Sequence, residues 1–348
     1  MLLPPSCSIL VPHLSGVGEA RRLAKAMAIE IGFDIQESEE IAIAVSELAS
    51  NLVKHAQGGH LILTPLEDGG RLGIKIESQD AGPGIPDVDQ AITDGVSTAG
   101  SLGYGLGSIN RLMDELEIRT GTGGKSGTHI TCLRWRREHI QTAGVCPLSF
   151  GVATRACHNM ELNGDAFLVK QGNGFTLAAL IDGLGHGQFA NRAALAARQY
   201  IENHFDQPLE AIFRGAERAC LATRGVVLAL ARFDWVTGAI KLTFASVGNI
   251  EARMFGSLAP MNFSVRRGVI GLNAPNPVVT GHCWDPDSVL VLFSDGLQSR
   301  WRWTDFPELA GAPAPHAARR LLQALARDND DATVIVVRKR RMQEGDSL

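Results

Sequence analysis

The chain has 348 residues, 45% of them hydrophobic and 20% charged, with a net charge of −4; this is ordinary globular composition at a length that accommodates two domains. The first 137 residues are net acidic and the rest close to neutral, so neither half offers the cationic surface that phosphate-backbone binding demands, and direct nucleic-acid binding is excluded. No apolar run approaches the ~18 residues of a spanning helix, the opening MLLPPSCSIL is not a signal peptide, and the six cysteines are scattered without CxxC spacing, which together read as a cytoplasmic protein without membrane insertion, disulfide framework or zinc site.

In chain order, SILVP reads as a strand and the stretch from about Glu19 to Ile31 as a helix. A second helix runs from Ser38, a candidate N-cap, to about His55, with Ile41, Ala44, Val45, Leu48 and Leu52 at helical spacing. HLILTPL and GRLGIKIES are strand candidates flanking the turn EDGG, and a glycine-rich stretch from Asp80 to Gly107 follows. A loop that long is functional or disordered. The helix SINRLMDEL and a hairpin of EIRT and THITCLRW complete an α/β unit over residues 1–137.

Glu47 and Asn51 stand four residues apart and so share one face of the second helix, displaced from its apolar stripe. Such a pair suits ATP chemistry: the Asn51 amide oxygen can ligate Mg²⁺ while Glu47 orients or deprotonates an attacking hydroxyl. A solvated helix face is the alternative. Asp80 opens the turn DAGPGI, with Gly82 and Gly84, which leaves its carboxylate to accept a hydrogen bond from a group such as an adenine amine. Gly103, Gly105 and Gly107 in GYGLG precede a helix, where exposed N–H groups can bind phosphate; taken singly, these glycines read equally as turns.

The order of ExxxN helix, two strands, DxGxG, glycine-rich lid and helix resembles the GHKL ATPase superfamily. Within it, ELASNLVKHA, the run from DAGPGIPDVDQ to MDELEI and the SGTHIT hairpin resemble the RsbT-type switch kinases of bacterial stress signalling. The resemblance implies a Bergerat-type α/β sandwich that phosphorylates Ser or Thr, with Glu47 as base, Asn51 on Mg²⁺, Asp80 and its glycines on adenine, and Gly103, Gly105 and Gly107 around the phosphates of ATP. A non-catalytic, anti-sigma-like module that holds a partner in an ATP-dependent manner is the alternative.

Residues 138–147 read as a linker. In residues 148–342, strand runs FGVATRA, DAFLVK and FTLAALID precede two helical stretches between about Gln188 and Arg224. GVVLALARF, AIKLTFASV, EARMF and SVLVLFSD, a helix near Pro315 to Ala326 and a closing strand ATVIVVRK follow, a pattern expected of a sheet sandwich flanked by helices. Asp182 and Asp295 end apolar strands, while Asp165, and Asp330 with Asp331, precede others. Hard oxygen ligands of this kind suit Mg²⁺ or Mn²⁺, although either Asp-Gly pair alone reads as a hairpin turn.

NGDAF, IDGLGHG, FASVGN, FSDGL and DDATVIVV resemble the PP2C-like (SpoIIE-type) phosphatases, in particular the RsbX type. This implies an αββα sandwich and two Mn²⁺ or Mg²⁺ ions, bridged by Asp182 and held also by the Gly183 carbonyl, Asp165, Asp295 and Asp330. No counterpart of the phosphate-binding arginine of the larger eukaryotic members is found. FASVGN reads as a strand and turn rather than as ligands, and His186 as either a metal-site neighbour or a solvent-facing residue. Taken as a whole, the chain is of the α/β (α+β) class. Both resemblances imply opposed kinase and phosphatase activities on STAS-domain regulators, with a downstream phosphatase or sigma-factor regulator as a further partner.

Overall fold

The computed structural model describes residues 3–68, 71–88, 91, 105–121, 127–136, 146–235, 239–257 and 261–340. Two compact units divide the chain, Met1–Glu138 and His139–Leu348.

The first unit contains β1 (Cys7–Val11), α1 (Ser15–Ile31), α2 (Ile35–Ala56), β2 (Gly59–Asp68), β3 (Arg71–Gln79), α3 (Gly105–Leu112), β4 (Glu115–Gly121) and β5 (Gly127–Trp135). The strands form one antiparallel sheet in the order β1-β2-β3-β5-β4. Residues alternate along β5, with Thr128, Ile130, Cys132 and Arg134 turned inward, the period-two pattern of a sheet with one covered face. The stripes of α1 (Ala20, Ala24, Met27, Ile31) and α2 (Ile41, Val45, Leu48, Leu52) pack with Leu61, Leu63, Ile74 and Ile76 into one core.

The α2 N-terminus departs from the sequence expectation. Asp34, not Ser38, is the N-cap: its Oδ1 accepts from the Glu37 N–H at 2.7 Å, and Glu37 Oε2 accepts from the Asp34 N–H at 3.2 Å. This reciprocal capping box outcompetes the serine, the helix begins a turn earlier, and Ser38 lies buried within it.

Arg134 is 1% exposed and bridges α2 to the α3–β4 turn. Its guanidinium donates to Glu40 Oε2 at 2.7 Å and to buried Asp114 Oδ1 at 3.3 Å, while Asp114 Oδ2 accepts from the Trp135 N–H at 2.7 Å. Removing one member of such a buried set leaves uncompensated charge and costs about 3–5 kcal/mol, so the triad fixes how α2 sits on the sheet.

The second unit contains β6 (Leu148–Arg155), β7 (Asp165–Gln171), β8 (Phe175–Gly183), α4 (Gln188–Asn203), α5 (Leu209–Cys220), β9 (Val226–Asp234), β10 (Lys241–Val247), β11 (Glu251–Phe255), β12 (Val265–Arg266), β13 (Thr280–Cys283), β14 (Val289–Phe293), α6 (Ala314–Leu325) and β15 (Ala332–Lys339). One sheet has the order β12-β10-β9-β8-β7, with β13 also on β10; the other has β11-β14-β15-β6.

Leu180, Ala231, Phe233 and Phe244 of the first sheet meet Leu290, Leu292, Ile335 and Val337 of the second. On the outer face of the first sheet, Leu177, Ala179 and Ile181 pack under α4 and α5; on that of the second, Val291, Val334 and Val336 pack under α6. The result is a four-layer αββα sandwich, and its central strands β8, β14 and β15 are near-continuous apolar runs because both of their faces are covered. Within the expected linker, residues 138–145 lie outside the described residues. Cys146 already belongs to the inter-sheet core, and the Pro147 carbonyl accepts from the Arg340 N–H at 2.8 Å.

Candidate functional sites

In the first unit, Glu47 and Asn51 lie half-buried on α2. The first residue of α3 comes directly against them: a Cβ on Gly105 would stand 3.3 Å from Glu47 Oε2 and 3.6 Å from Asn51 Oδ1. Glycine at this position therefore lets backbone approach a carboxylate and an amide together. Asp80 directly follows β3. Its Oδ1 accepts from the Gly82 N–H at 2.8 Å and the Thr128 N–H at 3.1 Å, while its own N–H donates to the Thr128 carbonyl at 3.0 Å.

One oxygen of the carboxylate that the sequence reading left to a ligand is thus committed to the backbone. A Cβ on Gly82 would press on Ala56 at 2.8 Å, which seats the Asp80 turn on the last turn of α2. Gly84 has a φ of 82° and precedes Ile85, whose N–H donates to Thr120 Oγ1 at 2.8 Å. Gly107 is buried in α3, whereas Gly103 and, within the expected glycine-rich stretch from Asp80 to Gly107, residues 89–90 and 92–104 lie outside the described residues.

The second unit gathers its acidic side chains at one end of the sandwich. Antiparallel register places Asp165, at the start of β7, opposite Asp182, at the end of β8. In the other sheet, Asp295 follows β14, and Asp330 and Asp331 precede β15. One hydroxyl ties the sheets together there: Ser294 Oγ donates to Asp165 Oδ2 at 2.7 Å and accepts from the Thr333 N–H at 2.9 Å. Asn249 Nδ2 donates to Asp295 Oδ2 at 2.7 Å. Gly183 passes so close to the Ala190 carbonyl that any Cβ would collide with it, which leaves glycine alone able to follow Asp182 here.

Electrostatically, this edge is under strain. Burial pushes the Asp182 carboxyl up to about 9, reinforced by the charges of Asp165, Asp295, Asp330 and Asp331. Burial likewise lifts Asp165 to about 7, against the Ser294 and Thr333 hydrogen bonds and with help from Asp331 and Asp295. Asp295 is raised by burial and by Asp330, while Asn249 and Arg327 pull the other way.

Asp165 Oδ1 and Asp331 Oδ2 are buried without a hydrogen-bond partner, although Asp331 Oδ1 accepts from the Cys157 N–H at 2.9 Å. Among the described residues no three His, Cys, Asp or Glu side chains close into a ligand cage; the five carboxylates form an open, mutually repelling set. Partnerless carboxylate oxygens and raised carboxyls are the features a hard cation relieves, so the residues fit a divalent ion. His186 is exposed.

Residues 11–134 match the histidine kinase-like ATPase domain family. Over 118 residues the chain is 41% identical to the serine/threonine-protein kinase RsbT of Bacillus subtilis (strain 168), covering 34% of this chain and 87% of that relative. The chain belongs to the RsbT serine/threonine kinase family through its first unit. Beyond this RsbT-type unit, it is 29% identical over 114 residues to the phosphoserine phosphatase RsbX of the same organism, covering 33% of this chain and about half of that relative's length, 52%. A solved chain of the bacterial stressosome, a modular system adapted to control secondary messenger signaling, matches with a TM-score of 0.52 at 30% identity, over 55% of this chain and 99% of its own. The expected architecture holds in both halves: an RsbT-type ATPase unit followed by an αββα sandwich. No helix among the described residues is long and apolar enough to cross a membrane.

Proposed function

We propose that the chain sets the phosphorylation state of a small STAS-domain regulator in both directions, the domain at 1–137 transferring the γ-phosphoryl group of ATP to a Ser or Thr and the domain at 148–342 removing it. The observation that carries this reading is the pairing, in one chain, of an RsbT-type fold in which Gly105 meets Glu47 and Asn51 with a sandwich whose acidic edge is short of cations.

In the first domain, Glu47 would accept the proton of the attacking hydroxyl, Asn51 would hold Mg²⁺, Asp80 would bind adenine, and Gly103, Gly105 and Gly107 would bind the phosphates. In the second, Asp182, the Gly183 carbonyl, Asp165, Asp295 and Asp330 would hold two Mn²⁺ or Mg²⁺ ions. Such ions make a shared water acidic and stabilise in-line displacement at phosphorus. Asp331, which the sequence reading did not place among the ligands, is also buried at this edge.

A direct test incubates the full chain with ATP, Mg²⁺ and a STAS-domain protein and follows the intact mass of that protein. A gain of about 80 Da, the mass of one added phosphoryl group, should reverse when ATP is exhausted and Mn²⁺ added. A STAS protein whose mass never changes sinks the reading.

The carboxylate edge yields a second expectation. An unfolded aspartate ionises near ~3.9, whereas Asp165 and Asp182 retain protons in the metal-free fold up to about 7 and about 9. Between these limits the folded chain binds more protons than the unfolded one, so stability falls as pH rises. EDTA-treated protein should therefore melt at progressively lower temperature from about pH 5 to about pH 9, and saturating Mn²⁺ should flatten the slope by replacing the proton as the counter-charge. A melting point in EDTA that is level or rises across this range removes the edge as a cation site.

A further inference from the structure

The sequence offers no arginine in the position where larger phosphatases hold substrate phosphate, yet the fold brings one to the acidic edge. The ladder between β8 and β9 pairs Asp182 with Val227 and Gly183 with Val226, and continues as the Leu184 N–H donates to the Gly225 carbonyl at 3.0 Å. The next residue on each side is Gly185 and Arg224. Gly185, with a φ of 86°, has open space where a side chain would be, except for Arg224 Nη1 at 3.4 Å from its Cβ position.

Gly185 is three residues past Asp182, at most about 11 Å along the chain. The guanidinium is held over the exposed ring of Phe189 at 4.7 Å, an arrangement that aims a planar cation without neutralising it. Arg224 is exposed, and among the described residues no carboxylate pairs with it. Two other arginines at this edge are already engaged: Arg327 acts on Asp295, and Arg155 pairs with Asp328 at 3.3 Å.

We propose that Arg224 is the substrate-phosphate anchor of the second unit: its guanidinium grips the non-bridging oxygens of a phosphorylated side chain presented to the carboxylate edge, and Phe189 keeps it in place. This rests on the phosphatase reading above. A planar fork with several donors matches a phosphoryl group, and a lysine at the same place supplies charge without the two-point grip.

The test uses the full chain without ATP, loaded with Mn²⁺, and compares wild type, Arg224→Ala, Arg224→Lys and Phe189→Leu on p-nitrophenyl phosphate and on a phosphoserine peptide. Arg224→Ala should raise KM and the inhibition constant of inorganic phosphate together by about 10- to 100-fold, the loss expected for a hydrogen-bonded charge pair. Arg224→Lys should recover part of this and Phe189→Leu lose a smaller part, while the Mn²⁺ concentration for half-activation stays at the wild-type value in every variant.

Wild-type turnover with KM and phosphate inhibition unchanged in Arg224→Ala overturns the anchor and leaves the phosphatase reading standing. A shift in Mn²⁺ requirement instead of KM also overturns it, because the arginine then acts on the metal edge. Wild-type protein that hydrolyses neither substrate overturns the parent reading, and the anchor falls with it. Arg224→Lys, which keeps charge and bulk, decides the matter if Arg224→Ala does not fold.

Discussion

Asp182→Asn is expected to abolish metal-dependent dephosphorylation while making the metal-free protein more stable at neutral and higher pH. The two halves of this result have one cause. Asp182 sits among four other carboxylates, and burial with their charges pushes its carboxyl up to about 9, so the folded apo chain already prefers a neutral group there. Asparagine supplies one of the same shape. It removes a proton-linked penalty at pH 8, and the melting temperature in EDTA should rise relative to wild type.

The divalent ions proposed for this edge would, by contrast, lose one of their carboxylate ligands. Breaking a buried, compensated charge pair costs about 3–5 kcal/mol, which corresponds to about 10² to 10⁴ in turnover at limiting metal. The measurement is phosphate release against Mn²⁺ concentration, paired with calorimetry in EDTA. A variant that is both inactive and less stable in EDTA means that Asp182 supports the fold instead of the ions, and activity retained in chelator excludes a metal-dependent reaction altogether.

The parts of this architecture that were legible in the sequence are those where one physical signal acts alone. The apolar run ending at Asp182 reads as a strand because both of its faces are buried, and an aspartate at its end has nowhere to point but the rim. Where signals competed locally, the reading slipped: Ser38 precedes the apolar stripe of α2, but Asp34 has Glu37 at the right distance for a reciprocal cap. The short strands β12 and β13 have two and four residues, and pairing along the edge of β10 creates them, not their own composition.

Long-range encounters were the least legible. Asn249 belongs to a segment read as purely structural, yet a tight turn after β10 delivers its amide to Asp295 across 46 residues of chain. Arg224 meets Gly185 only because β8 and β9 pair in one register, and no spacing in the sequence announces that meeting. Asp331 was visible as an acid, but its burial, 3% exposed, follows from the close approach of the β14–α6 connection, where a Cβ on Gly296 would collide with the Asp331 carbonyl.

Glu47→Gln is expected to keep ATP and partner binding and to lose phosphoryl transfer by about 10² to 10⁴, the usual contribution of a positioned proton acceptor. The substitution preserves length and planarity, so the approach of Gly105, 3.3 Å from its Cβ position to Glu47 Oε2, is undisturbed and the cradle for phosphate remains. Asn51 also keeps its place one turn on, so the Mg²⁺ requirement proposed for ATP binding is expected to persist. What the amide cannot do is take the proton of an attacking serine or threonine hydroxyl. The measurement pairs calorimetric ATP binding with single-turnover transfer to a STAS-domain protein, using Asp182→Asn in the same chain to silence reversal. Binding and transfer falling together would make Glu47 a structural contact of α3. Transfer at the wild-type rate would instead make the first unit's chemistry independent of this carboxylate. If the wild-type chain itself binds ATP and partner without transferring phosphate, the first unit is a nucleotide-controlled holder of its partner, and Glu47→Gln leaves that holding unchanged.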